Sequence, residues 1–184
     1  MEVTMVRKIR RAHFVGLWVV LVVLGIGTSM LSGTGYAQPT ENVKHAMVLL
    51  KEKAAKLGPA EVKGEEPVAG KTAPALFFGK VKMNNNFALV DEVQKEMGAT
   101  ATFFVRSGDE YVRVATNVKK DDGSRAIGTI LDPKGKAIGS IRSGEAYYGE
   151  ADILGKAYVT GYEPIRDNNG NVIGIYYVGY LKGQ

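Results

Sequence analysis

Tyr147-Tyr-Gly-Glu-Ala-Asp-Ile-Leu-Gly-Lys-Ala-Tyr-Val-Thr-Gly-Tyr-Glu-Pro-Ile165 brings aromatic hydroxyls, glycines and alternating side chains into one short run. Tyr158, Thr160 and Tyr162 share one parity, so a strand here aims all three at the same side of a sheet. The opposite parity gives Ala157, Val159 and Gly161, a row small enough for a helix or another backbone to lie close against it. One face is suited to packing and the other to touching something polar.

Downstream, Asp167-Asn168-Asn169-Gly170 separates this run from a second one, Val172 to Leu181, and Asn-Gly at that place is the strongest local hairpin signal in the chain. Pairing across it sets Ile175 and Tyr177 beside Tyr158 and Tyr162, and Gly174, Tyr176 and Val178 beside Val159 and Gly161. Asp167, Asn169 and Asn171 resemble half of a calcium loop. The glycine comes one place early and no glutamate closes it, so the stretch reads as a turn.

Upstream, residues 101–106 and 110–117 alternate on either side of Ser107-Gly108-Asp109, a second hairpin. Tyr111, Arg113 and Ala115 take one parity and Val112, Val114 and Thr116 the other. The valine face must meet the core, which puts Arg113 on the hydroxyl side or at its rim. Between the hairpins, 118–146 reads as a long, weakly regular connection that contains Arg125 and Arg142; long ordered loops on a sheet often carry binding groups.

Two helices precede the strands. Val43, Ala46, Met47, Leu50, Ala54 and Leu57 recur at helical spacing over Glu41–Leu57, with Thr40 as N-cap and Gly58-Pro59 as the stop. This helix reads as a homodimer element or signalling rod, or as cover for one face of the sheet. A second helix is expected from Asn86 to Met97, ended by Gly98. Pro59, Pro67 and Pro74 among glycines and charges mark 59–75 as a loop.

At 184 residues and 45% apolar content, the chain can bury one ordinary core. Arg7, Lys8, Arg10 and Arg11 precede the apolar run Phe14–Gly27, and Gly35-Tyr36-Ala37 offers small residues where a signal peptidase reads. The expectation is an export signal over 1–37 and a periplasmic or secreted product. If it is uncleaved, residues 14–31 would anchor the chain in the membrane. Losing that segment removes four basic residues and one acidic one, taking the net charge from +5 to +2, with no basic block for nucleic acid. The expected organisation is a signal peptide (1–37), an N-terminal helix and linker (38–74) and a folded domain (75–184).

Cysteine is absent, which excludes disulfides, thiolate metal sites and cysteine nucleophiles. A serine triad needs a histidine, and only His45 remains after the signal, on an amphipathic helix. Zinc ligands and phosphate-binding glycine loops are missing too, so no enzyme, metal or cofactor is expected.

Thr102-Phe-Phe-Val-Arg106, Arg113-Val-Ala-Thr-Asn117, Gly123-Ser-Arg-Ala-Ile-Gly-Thr129, Tyr147-Tyr-Gly149 and Gly155-Lys-Ala-Tyr158 through Tyr162-Glu-Pro-Ile165 together resemble single Cache sensor domains of the Cache 3 and Cache 3/Cache 2 fusion type. The resemblance implies an α+β, PAS-like fold: an antiparallel sheet of about five strands with a long N-terminal helix. It also implies an extracytoplasmic module that senses a small ligand. No second apolar run of comparable length follows the first, so detection is expected to be reported through a partner such as a membrane receptor or histidine kinase.

The ligand expected is a small organic anion, because a guanidinium grips a carboxylate through two parallel hydrogen bonds and tyrosines can enclose its carbon chain. Arg113 and Arg125, with Tyr147, Tyr158 and Tyr162, are the candidate binding residues. The alternatives are core tyrosines with Arg113 paired to an acid such as Asp109, and a ligand-free structural or partner-binding envelope protein.

Overall fold

The computed structural model describes residues 37–183; the expected export segment up to Tyr36, and with it the 14–31 anchor, lies outside them. The elements are α1 (Ala37–Ala55), β1 (Ala60–Val68), β2 (Lys71–Phe78), β3 (Val81–Lys82), α2 (Ala88–Met97), β4 (Thr100–Ser107), β5 (Glu110–Thr116), α3 (Lys136–Arg142), β6 (Tyr147–Ile153), β7 (Lys156–Arg166) and β8 (Val172–Leu181). A five-stranded antiparallel sheet runs β5-β4-β8-β7-β6, and a three-stranded one runs β1-β2-β3. The expected strands and both hairpins form, and β7 pairs with β8 so that Tyr162 stands opposite Tyr177 and Gly161 opposite Val178.

The two parities of the sheet serve two cores. On one face Phe103, Tyr176 and Val178 meet Val43, Ala46, Met47, Leu50 and Ala54 of α1 and Val90 and Val93 of α2. Val43, Met47 and Leu50 are fully buried, which contributes roughly 5–9 kcal/mol before entropy is counted. α1 is therefore the cover of the sheet. Gly161 permits its approach: a Cβ there would come within 2.9 Å of Val43 Cγ1 and 2.7 Å of Tyr148 Cε1. On the other face Phe104, Tyr111, Tyr158, Tyr162, Ile175 and Tyr177 pack beneath Ala137, Ile138 and Ile141 of α3.

The structure corrects four expectations. Residues 59–75 are not a loop: most of them form the β1–β2 hairpin, closed by Ala69 and Gly70, both at positive φ. The charged side chains of β1 hide its strand character, and its proline, Pro67, is tolerated because β1 is an edge strand. β2 also runs unbroken through positions 74 and 75, where the linker was expected to end.

α1 begins at Ala37 rather than after Thr40, since Pro39 falls in the first turn, where a missing N–H costs nothing.

The strict alternation of β5 breaks at a bulge: Phe103 faces Ala115, whereas Phe104 faces Arg113. Ala115 thus joins Val112 and Val114 in the α1-side core, and the Thr116 hydroxyl turns to that of Thr102, 2.6 Å away.

The 118–146 connection is more ordered than its composition indicates. Its 128–131 stretch pairs with β5, through Arg113 N–H to Thr129 O (2.9 Å) and Leu131 N–H to Tyr111 O (2.9 Å), and α3 follows.

Three consecutive asparagines brace the small sheet with their side chains, and the Asn85 N–H ties it to Val114 O of β5 (2.8 Å). Asn84 accepts from Leu76 N–H and donates to Pro74 O, Asn85 donates to Pro67 O, and Asn86 donates to Lys82 O. Asn85 reaches its place at φ 59°, a conformation asparagine adopts more readily than most residues. Among the described residues, no helix is long and apolar enough to cross a membrane.

Candidate functional site

Beneath the loop that leads into α3 lies a cavity of about 470 Å³, walled by Arg113, Tyr162, the start of α3 and the far end of β6. Arg113 is carried there by β5, and the bulge at Val114 keeps it on the polar side while its neighbours enter the core. The residue is only 4% exposed. One guanidinium nitrogen, Nη1, donates to Thr129 Oγ1 at 2.5 Å, and the guanidinium carbon sits 4.9 Å from the centre of the Phe104 ring. The buried Nε has no hydrogen-bond partner.

Among the described residues no carboxylate forms an ion pair with Arg113, so the pairing with Asp109 does not occur. Burial pulls the Arg113 pKa below its ordinary value, because the apolar surroundings disfavour a lone charge. A guanidinium nonetheless stays protonated in proteins.

Tyr162 shares the cavity wall and is 1% exposed. Burial raises its hydroxyl pKa, so it is a neutral donor at any physiological pH. Its ring is held by Tyr177 at 5.0 Å and Tyr147 at 6.2 Å between centroids. Tyr147 is thereby a support: its hydroxyl donates to Glu150 O (2.8 Å). Tyr158 lies buried in the α3-side core and does not line the cavity. Ala157, expected on the packing row, is exposed at the cavity wall instead.

Arg125 is not brought to the cavity. Its two terminal nitrogens grip both carboxylate oxygens of Asp91 at 2.7 and 2.8 Å, one of them also donates to Thr116 O, and the guanidinium stacks 4.4 Å from the Phe87 ring. It fastens the 118–146 connection to α2. Spacing alone could not separate the two arginines, since each is the single arginine of a short stretch that resembles the family, Arg113–Asn117 and Gly123–Thr129.

Sequence reasoning missed Thr129, Phe104, Lys134 and Lys136. The last two line the cavity and form no ion pair among the described residues. The cavity's carboxylates make local contacts of their own: Asp132 accepts from Lys134 N–H, Glu150 pairs with Lys182 at 2.5 Å, and Asp152 accepts from Gly155 N–H. The lining thus carries three cations, Arg113, Lys134 and Lys136, beside three carboxylates. The only signal for the lysines was their place beside Gly135, in a loop already marked for binding.

Among the described residues, no group of histidine, aspartate and glutamate side chains is arranged to hold a metal. Asp167 instead caps its own turn, accepting from Asn169 N–H, Asn171 N–H and Asn171 Nδ2.

No curated protein matches this chain. The family described as the Cache 3/Cache 2 fusion domain matches residues 33–184, which takes in every element of both sheets. With its PAS-like sheet and helical cover, the chain belongs to the Cache 3/Cache 2 fusion domain family, whose members are extracellular sensory ligand-binding domains.

Proposed function

We propose that this domain binds a short organic carboxylate in the cavity of Arg113, with Arg113 as the grip and Tyr162 beside it. The observation that carries the reading is a guanidinium that is 4% exposed, has no ion-pair partner among the described residues, and holds an unsatisfied Nε. Burying a lone charge is costly, and a ligand carboxylate is the group that offsets the cost. Tyr147 and Tyr158 act in this reading as supports of the Tyr162 wall. Lys134 and Lys136 line the same cavity and offer further cations to the ligand.

The cavity has the size of a small-molecule site, which supports a ligand over the structural or partner-binding alternative. In the cell the product is exported with residues 1–37 removed, and it hands its signal to a membrane receptor or histidine kinase. Calorimetric titration of short mono- and dicarboxylates tests the reading. A folded protein that binds none of them returns the chain to the partner-binding alternative.

A further inference from the structure

A second concave site lies at the other end of α3. It has a volume of about 300 Å³ and is lined by three arginines, Arg106, Arg142 and Arg166, with Asn171 and Ser143. They come from the end of β4, the end of α3 and the end of β7, so the β4–β5 and β7–β8 turns of the large sheet and the last turn of α3 converge here. None of the three arginines forms an ion pair among the described residues. The nearest acid in sequence, Asp167, spends its carboxylate on its own turn.

Two of the arginines are held in place by backbone carbonyls. Arg166 donates to Gly170 O (2.9 Å) and Gly144 O (2.6 Å), and a Cβ at Gly144 would come 2.8 Å from its Nη2. Arg106 donates from Nε to Gly108 O (3.1 Å), which leaves its terminal fork free. Arg142 makes no side-chain hydrogen bond among the described residues. Three positive charges face one concavity with two whole forks and no acid. A carboxylate brings two oxygens and one charge to such a site. A phosphate group brings three terminal oxygens and up to two charges, and arginine forks match it in pairs.

We infer that the Arg106–Arg142–Arg166 concavity is a second anion site, separate from the Arg113 cavity, that takes a phosphate group. The group is either free or the headgroup of an anionic lipid on the membrane surface beside which the domain works. The site does not depend on what the Arg113 cavity binds.

The test uses the chain as isolated from expressing cells, titrated with inorganic phosphate against a chloride-matched blank. In parallel, it is co-sedimented with phosphatidylglycerol and with phosphatidylcholine vesicles. Phosphate heat identifies a free anion as ligand; sedimentation with phosphatidylglycerol in excess over phosphatidylcholine identifies the headgroup; either supports the site.

Arg142→Gln should weaken the response about tenfold, and Arg106→Gln with Arg142→Gln about 100-fold, at one lost charge-assisted pairing each. Both positions are exposed, and circular dichroism should be unchanged. Arg113→Ala should leave the response intact, which separates this site from the carboxylate site. The inference is overturned if neither phosphate nor phosphatidylglycerol gives a response above its control, or if the double variant responds like the wild type. Binding of poly-glutamate without binding of phosphate also overturns it, in favour of an acidic protein partner.

Discussion

The guanidinium of Arg113 stands 4.9 Å from the centre of the Phe104 ring, directly across the β4–β5 register, and among the described residues no carboxylate forms an ion pair with it. A cation over an aromatic ring gains about 0.5–2 kcal/mol. That falls well short of what a paired carboxylate supplies to a buried guanidinium, and this shortfall is the ground for the proposed carboxylate site.

Removing the Arg113 grip should therefore dominate any binding experiment. Two charge-assisted hydrogen bonds are worth roughly 1.5–3 kcal/mol each, so Arg113→Ala should weaken carboxylate binding by about 100-fold or more. Arg113→Lys keeps the charge, loses the fork and should hurt nearly as much. Tyr162→Phe keeps the ring and should cost only about three- to tenfold, the value of one neutral hydrogen bond. Calorimetry on the three variants checks the order; wild-type affinity in Arg113→Lys would refute the bidentate grip.

Arg125 should behave in the opposite way. Arg125→Ala loses the Asp91 pair, the bond to Thr116 O and the Phe87 stacking, and is expected to lower stability by about 1–2 kcal/mol while leaving carboxylate affinity unchanged. The Asp91 side chain is 44% exposed, so solvent screening keeps the pair itself below about 1 kcal/mol in a double-mutant cycle with Asp91→Asn. Urea unfolding and titration of the same samples separate the two effects.

Gly161 offers a test of the packing face. Gly161→Val would drive side-chain atoms into Val43 and Tyr148 and should cost about 1–3 kcal/mol through overpacking. Val43→Ala in the same chain should recover part of the loss, because it opens the space that the new side chain needs. Thermal melts of the single and double variants decide whether α1 and β7 meet there; an additive loss would speak against the contact.

Export should leave a mature chain that begins at Gln38. Such a chain would still hold nearly all of α1, whose first residue is Ala37, and both sheets. Intact-mass measurement of the protein from the periplasm or medium reads the terminus directly, and a mass that includes Met1 would refute cleavage.

The strands around the two Gly-containing hairpins, the amphipathic character of α1 and the two-faced nature of β7 could be read from the chain alone. They rest on local rules: side-chain parity, helical spacing, and turns that demand glycine or asparagine. The β1–β2 hairpin could not, because its prolines and charged residues look like a loop until the edge position of β1 and the bonds of the Asn84 and Asn85 side chains to the hairpin backbone are seen. The bulge opposite Phe103 and Phe104 was equally hidden, since one extra residue in a ladder is set by the partner strand and leaves no period of its own. The same distinction runs through the site. Sequence selected arginine and tyrosine as the chemistry, and five residues as candidates. Only the tertiary structure assigned Arg113 to a cavity and Arg125 to Asp91, because whether a guanidinium is buried alone or beside a carboxylate depends on residues 34 positions away, which no local pattern records.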